Sequence, residues 1–138
     1  MQDSIIINPS FGDCDPAGIV FYPNIFRWMD AGFHHLLRAH GGHSLICEKL
    51  GAVGLGLISS SADFVAPIHD GDTLELAIHV SKWSTKTISL DYCGRVGQKT
   101  AFTGKEVRGL FKTTGNGIVA GNLDALRLIL ESKDEKRQ

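Results

Sequence analysis

The chain has 138 residues, 43% of them apolar and 21% charged, which suits one folded domain with a sizeable core and excludes a disordered or fibrous polymer. Its 14 basic and 15 acidic residues leave a formal net charge of −1, so no cationic excess marks a general nucleic-acid surface. No apolar run approaches the ~20 residues of a membrane-spanning helix, and the opening MQDSIIINPS lacks the basic and long apolar regions of a leader, so a cytoplasmic protein is expected. Cys14, Cys47 and Cys93 are odd in number and form no C-x-x-C, a pattern that fits reduced thiols better than a disulfide framework. Cys14 lies among acids, which disfavour its thiolate and hence a nucleophilic role.

In chain order, Ile5-Ile6-Ile7 ends at Asn8-Pro9 and reads as a strand. Phe11 to Gly18 (FGDCDPAG) is too rich in Asp, Pro and Gly for a long regular element. From Asn24 to about His40 the period becomes helical: Ile25, Trp28, Met29, Gly32, Phe33, Leu36 and Leu37 line one face. Pro23 suits the first turn and Gly41-Gly42 the stop. Ser44 to Leu50 predicts a short second helix capped by Ser44 and stopped by Gly51. Strands are predicted at Leu57 to Ala66, Thr73 to Trp83, Thr87 to Val96 and Ala101 to Thr113. In the second of these, Leu74, Leu76, Ile78 and Val80 alternate with Thr73, Glu75 and His79, as in an antiparallel sheet with one buried face. Leu123 to Glu131 predicts a terminal helix, and Ser132 to Gln138 a solvated tail. With no repeat and no linker, residues 1–138 form a single α+β domain, an antiparallel five-stranded sheet curled around the long central helix. One helix covers little of such a sheet, so a second subunit is expected against the remainder.

The dense cluster is Phe11 to Asn24, where Asp13 and Asp15 sit in a Gly/Pro-rich loop just before a helix N-terminus. Unpaired N–H groups and a partial positive charge at such an end can stabilise an oxyanion while a nearby carboxylate attacks a carbonyl or activates water. The same two residues read equally as ordinary turn formers. Among the six histidines, His34 and His35 point to different helix faces, and Gly41-Gly42 interrupts the helix that would align His40 with His43. No metal site is expected. The chain has no G-x-G-x-x-G, P-loop or G-x-S-x-G motif, so no cofactor is expected either.

The run Asp13-Cys14-Asp15-Pro16-Ala17-Gly18-Ile19-Val20-Phe21-Tyr22-Pro23-Asn24, continued by Arg27-Trp28-Met29-Asp30-Ala31, resembles the hotdog-fold 4-hydroxybenzoyl-CoA thioesterase family. The likeness weakens through the middle but keeps Ser60-Ser61-Ala62-Asp63-Phe64-Val65 and the Lys82-Trp83 step. It implies a hotdog fold, a sheet wrapped round a long helix, and hydrolysis of a (hydroxy)aromatic or short acyl-CoA thioester without metal or cofactor. It further implies that Asp15 is the catalytic nucleophile or general base and that the Tyr22 backbone N–H is the oxyanion donor. By the same resemblance Asp30 accepts a hydrogen bond from a ring hydroxyl, and Gly18, Ser60, Ser61, Lys82 and Lys86 contact substrate. A homodimer or homotetramer is implied, with Ser59 to Ser61 approaching the partner's site. The CoA phosphates call for basic partners, for which Lys82, Lys86, Lys99, Lys105 and Arg108 are the candidates. Two departures are visible: Ser84-Thr85-Lys86 is less basic than the aromatic-acyl members at this turn, and Gly41 to Cys47 lacks their Pro-Pro-Trp. Two other readings stay open: a hotdog hydratase or dehydratase, which usually wants a His absent from Asp13–Asn24, and a non-catalytic acyl-CoA binding module.

Overall fold

A computed structural model describes residues 2–132; of the tail expected over 132–138, everything beyond Ser132 lies outside the described residues. The elements run β1 (Gln2–Ile7), a 3-10 turn (Phe11–Asp13), α1 (Pro23–Arg38), α2 (His43–Leu50), β2 (Gly54–Phe64), β3 (Leu74–Trp83), β4 (Ile88–Val96), β5 (Lys99–Thr114), β6 (Gly117–Gly121) and α3 (Asp124–Glu131). The class is α+β, as the sequence predicts. The sheet is antiparallel throughout, ordered β1-β3-β4-β5-β2, with β6 folded back on β5.

Two features of the sheet correct the sequence reading. It has six strands rather than five, because β5 continues to Thr114 and turns through Gly115-Asn116 into β6. The four strands expected after the helices, which chain order alone would pair as neighbours in one meander, are not all adjacent. β2 crosses to the far edge and pairs with β5, Gly54 opposite Phe111 and Phe64 opposite Phe102, leaving β3 to pair with β1. A strand order of this kind is set by long-range packing, which local periodicity does not record.

α1 buries Ile25, Trp28, Met29, Gly32, Phe33, Leu36 and Leu37, the same seven positions its spacing selects. They meet the inward side of the sheet, where Leu74, Leu76, Ile78 and Val80 of β3 and Ile88, Leu90 and Tyr92 of β4 are buried. Gly32 permits a close seat: a Cβ there would lie 2.7 Å from Ile78 Cδ1. At α2 the N-cap is Gly42 at φ +94°, not Ser44, which falls inside the helix. His43 fixes this start, its Nε2 accepting the Leu55 N–H of β2 at 3.0 Å. Ser132 caps α3, its hydroxyl donating to the Ile129 carbonyl at 2.8 Å.

β2 is the bare edge. Leu57 and Ile58 are each 51% exposed, Phe64 53% and Val65 64%, and Ser59, Ser60 and Ser61 are exposed between them.

Candidate active site

The loop leading into α1 is built by its two aspartates, which take different tasks. Asp13 closes the 3-10 turn: its Oδ2 accepts the Ser10 N–H at 2.9 Å and the Ser10 hydroxyl at 3.3 Å. Its Oδ1 faces Arg27 Nη2 at 3.4 Å, and its carbonyl accepts the Phe21 N–H and the Asn24 side-chain amide, both at 2.9 Å. Asp13 is therefore used up in holding the loop to the start of α1.

Asp15 heads a tight reversal. Gly18 N–H donates to the Asp15 carbonyl, Asp15 N–H to the Ile19 carbonyl, and Cys14 bridges to Val20. Pro16 and Ala17 form the tip, and Gly18 takes φ +84°, a conformation that side chains other than glycine adopt at a cost. The Asp15 side chain accepts the Ala17 N–H on Oδ1 at 2.9 Å. Among the described residues its Oδ2 has no hydrogen-bond partner.

The chain then docks onto the β2–β3 connection. Val20 N–H donates to the Ile68 carbonyl at 2.7 Å, and Ile19 bridges to His69. This closure creates a cavity of about 580 Å³ lined by Asp15, Tyr22 and Ile25 on one side and by Phe64, Val65, Pro67 and Ile68 on the other. Among the described residues Asp15 is the one charged residue in the lining. Tyr22 is the N-cap of α1, with Pro23 at the first helical position. The first-turn N–H groups of Asn24 and Ile25 pair with Phe21 and Tyr22 carbonyls, whereas no acceptor among the described residues takes the Tyr22 N–H. Asp15 and Tyr22, whose N–H has no acceptor among the described residues, thus both line one mostly apolar cavity. A carboxylate and a helix-end donor are the kinds of group that carbonyl attack with oxyanion stabilisation uses.

The other expected residues lie outside this lining. Gly18 shapes the turn below Asp15. Ser60 and Ser61 are exposed on β2, and Ser61 borders a separate depression with Asp91 and Lys105. Lys82 is exposed at the end of β3, opposite Ser89 and past a bulge, and Lys86 is exposed in the turn to β4. Lys105 pairs with Asp91 at 3.5 Å. Asp30, farther along α1, keeps its side chain 54% exposed. Among the described residues no group of three or more His, Cys, Asp or Glu could hold a metal ion.

Arg108 requires a correction, because as a phosphate candidate it would have to face solvent. It is 3% exposed and points inward beside Glu106, 2% exposed. The signal was present: on β5, Gly104, Glu106, Arg108 and Leu110 share the inward side, while Lys105 points outward. Glu106 and Arg108 are thus two charges on the inward side of one strand. Burial works against the Arg108 charge, but its hydrogen bonds to Glu106 and Asp30 more than offset this and keep the guanidinium ionised.

A family model described as thioesterase superfamily matches residues 17–103. In sequence the chain is 36% identical over 80 residues to the 4-hydroxybenzoyl-CoA thioesterase of Pseudomonas sp. (strain CBS-3), covering 56% of each protein. It is 28% identical over 98 residues to the 1,4-dihydroxy-2-naphthoyl-CoA hydrolase of Prochlorococcus marinus (strain MIT 9313), covering 66% of this chain and 65% of that one. These matches span less than two thirds of either relative. In structure it superposes on the 4-hydroxybenzoyl-CoA thioesterase from Pseudomonas sp. strain CBS-3 with a TM-score of 0.82 at 26% identity, covering 94% of this chain and 98% of that one. The hotdog architecture is therefore shared nearly end to end.

Proposed function

The chain belongs to the thioesterase superfamily, and from that membership we propose that it is an acyl-CoA thioesterase hydrolysing a (hydroxy)aromatic or short acyl-CoA. The observation that carries this reading is the pairing of Asp15 with the Tyr22 end of α1 in one apolar cavity. A thioester carbonyl is electrophilic and its thiolate a fair leaving group, so a placed carboxylate, an oxyanion donor and an acyl pocket suffice. The Asp15 carboxylate adds to the carbonyl carbon, or takes a proton from the water that adds. The carbonyl oxygen gains the negative charge and is met by the Tyr22 N–H. Collapse of the tetrahedral species expels the CoA thiolate. In the first route water then hydrolyses the acyl–Asp15 anhydride to the acid and frees the carboxylate. In the second, collapse yields the acid directly and Asp15 passes its proton to the thiolate.

Asp30 serves as acceptor for an acyl hydroxyl, Gly18 with Ser60 and Ser61 as further substrate contacts, and Lys82 and Lys86 as phosphate partners. A single-domain protein acting in the cytoplasm as a homodimer or homotetramer completes the proposal. Assembly is supported by the bare β2 edge, whose apolar Phe64 and Val65 continue from the cavity wall. No helix among the described residues is long and apolar enough to cross a membrane.

Thiol release from 4-hydroxybenzoyl-, 3-hydroxybenzoyl-, benzoyl- and hexanoyl-CoA tests the reading. Turnover of at least one, falling by about 10²-fold or more in Asp15→Asn, is expected. CoA binding without turnover of any of them would instead make the protein a binding module. Among the described residues lining the cavity there is no histidine, the acid that hydratase chemistry usually employs, and this favours the hydrolase reading.

A further inference from the structure

Glu106 and Arg108 bring two charges into an apolar interior, which is costly unless both are matched. Arg108 donates from Nε to Glu106 Oε1 at 3.0 Å and from Nη2 to Oε2 at 3.2 Å. The buried Tyr92 hydroxyl donates to the same Oε1 at 2.6 Å, and the guanidinium lies 4.2 Å over the Phe33 ring. Burial, then the Glu106 charge, push the Tyr92 hydroxyl far above its usual range, so it stays a donor. Charge balance is complete at this point, since one buried carboxylate neutralises one guanidinium.

Arg108 nevertheless makes a third ionic contact. Its Nη2 also donates to Asp30 Oδ1 at 2.8 Å, reaching from the interior to a half-exposed carboxylate on α1. His34 Nε2 stands 3.6 Å from the same Oδ1. Asp30 Oδ2 has no partner among the described residues. An exposed aspartate ordinarily samples several rotamers, and a surface ion pair adds little stability. Here the donor is itself immobilised by Glu106, Tyr92 and Phe33, so one oxygen is pinned and the other is left as a fixed acceptor.

We infer that Arg108 is a positioning residue: anchored by Glu106, Tyr92 and Phe33, it locks the Asp30 carboxylate so that Oδ2 receives the hydroxyl of the acyl group. Ordering is thereby met in the folded protein rather than on binding. The inference rests on the reading of Asp30 given under the proposed function.

The test compares kcat/KM for 4-hydroxybenzoyl-CoA and benzoyl-CoA, which differ in one hydroxyl. Wild type should favour the hydroxylated substrate, and Arg108→Lys, which keeps charge but loses the fork, should cut that preference about tenfold, mainly through KM. If Arg108→Lys unfolds by circular dichroism, Glu106→Gln/Arg108→Met removes both charges, leaves an amide for the Tyr92 hydroxyl and should show the same loss. A folded variant of either kind that keeps the wild-type preference overturns the inference. A wild type without preference overturns it together with the Asp30 reading but leaves the hydrolase standing. Hydrolysis of neither substrate overturns the inference and the Asp30 reading, and the proposed activity falls with them only if 3-hydroxybenzoyl- and hexanoyl-CoA are not turned over either.

Discussion

Replacing Gly32 with alanine sets two known effects against each other. In a helix interior alanine is favoured over glycine by about 1 kcal/mol. At this position, however, the new Cβ would meet Ile78 Cδ1 at 2.7 Å, Cγ1 at 3.2 Å and Leu76 Cδ2 at 3.4 Å. The first contact is far inside ordinary van der Waals range, and Ile78 is 1% exposed, so its methyl has no solvent to swing into. Overpacking of this kind costs about 1–3 kcal/mol. The net expectation for Gly32→Ala is a loss of about 0–2 kcal/mol. Ile78→Val deletes the offending Cδ1 and alone costs about 0.5–1.5 kcal/mol. In that background Gly32→Ala should turn stabilising, because the propensity gain survives and the closest clash does not. Urea unfolding of the four proteins in this cycle gives the coupling, expected at about 1–3 kcal/mol, the cost of the relieved clash. Full stabilisation by Gly32→Ala in the wild-type background would refute the reasoning, since the sheet would then yield freely beneath α1.

Gly18→Ala should lose about 1–2 kcal/mol through its φ of +84° rather than through a clash, because no heavy atom lies within 4 Å of the added Cβ. Gly18→Asn should recover part of the loss in urea unfolding, and equal losses would argue against strain as the cause. Burial lowers the pKa of His34 below 6.5, with Asp30 only partly opposing it. The unfolded chain then takes this proton at higher pH than the folded one, so stability is full above pH 6.5 and falls as pH drops below it. His34→Gln should accordingly show a shallower loss of unfolding free energy between about pH 7 and pH 5, and identical slopes would exclude the linkage.

Where one element carries its own signal, the sequence sufficed. The α1 face from Ile25 to Leu37 repeats without interruption at helical spacing, and β3 alternates from Leu74 to Val80, so both buried faces could be named beforehand. β2 offers no such pattern, since Leu57 to Ser61 are exposed on both sides, and its crossing to β5 depends on partners distant in the chain. β6 is a five-residue run bounded by Gly117 and Gly121, too brief to register as a strand. Within the site, Asp15 and Tyr22 belong to one continuous segment, which made their association readable. The opposing wall from Phe64 to Ile68 arrives through the Val20 to Ile68 hydrogen bond and the Ile19 to His69 bridge, contacts between segments distant in the chain. Arg108 was misplaced because charged residues are usually solvated, and here the strand's alternation overrode that expectation.

The strand order also bears on how the molecule comes together. β3, β4 and β5 are joined by two short turns, Ser84–Thr87 and Gly97–Gln98, so their pairing closes small loops. β1 must find β3, and Gly54 must find Phe111, across long stretches of chain whose closure entropy is met only after the middle of the sheet exists. The cavity walls depend on those distant closures: Phe64 ends the far-edge strand, and Ile68 receives Val20 from a segment far earlier in the chain. A refolding chain with its central strands in place has most of its sheet and no cavity, so the cavity itself reports on the non-local closures.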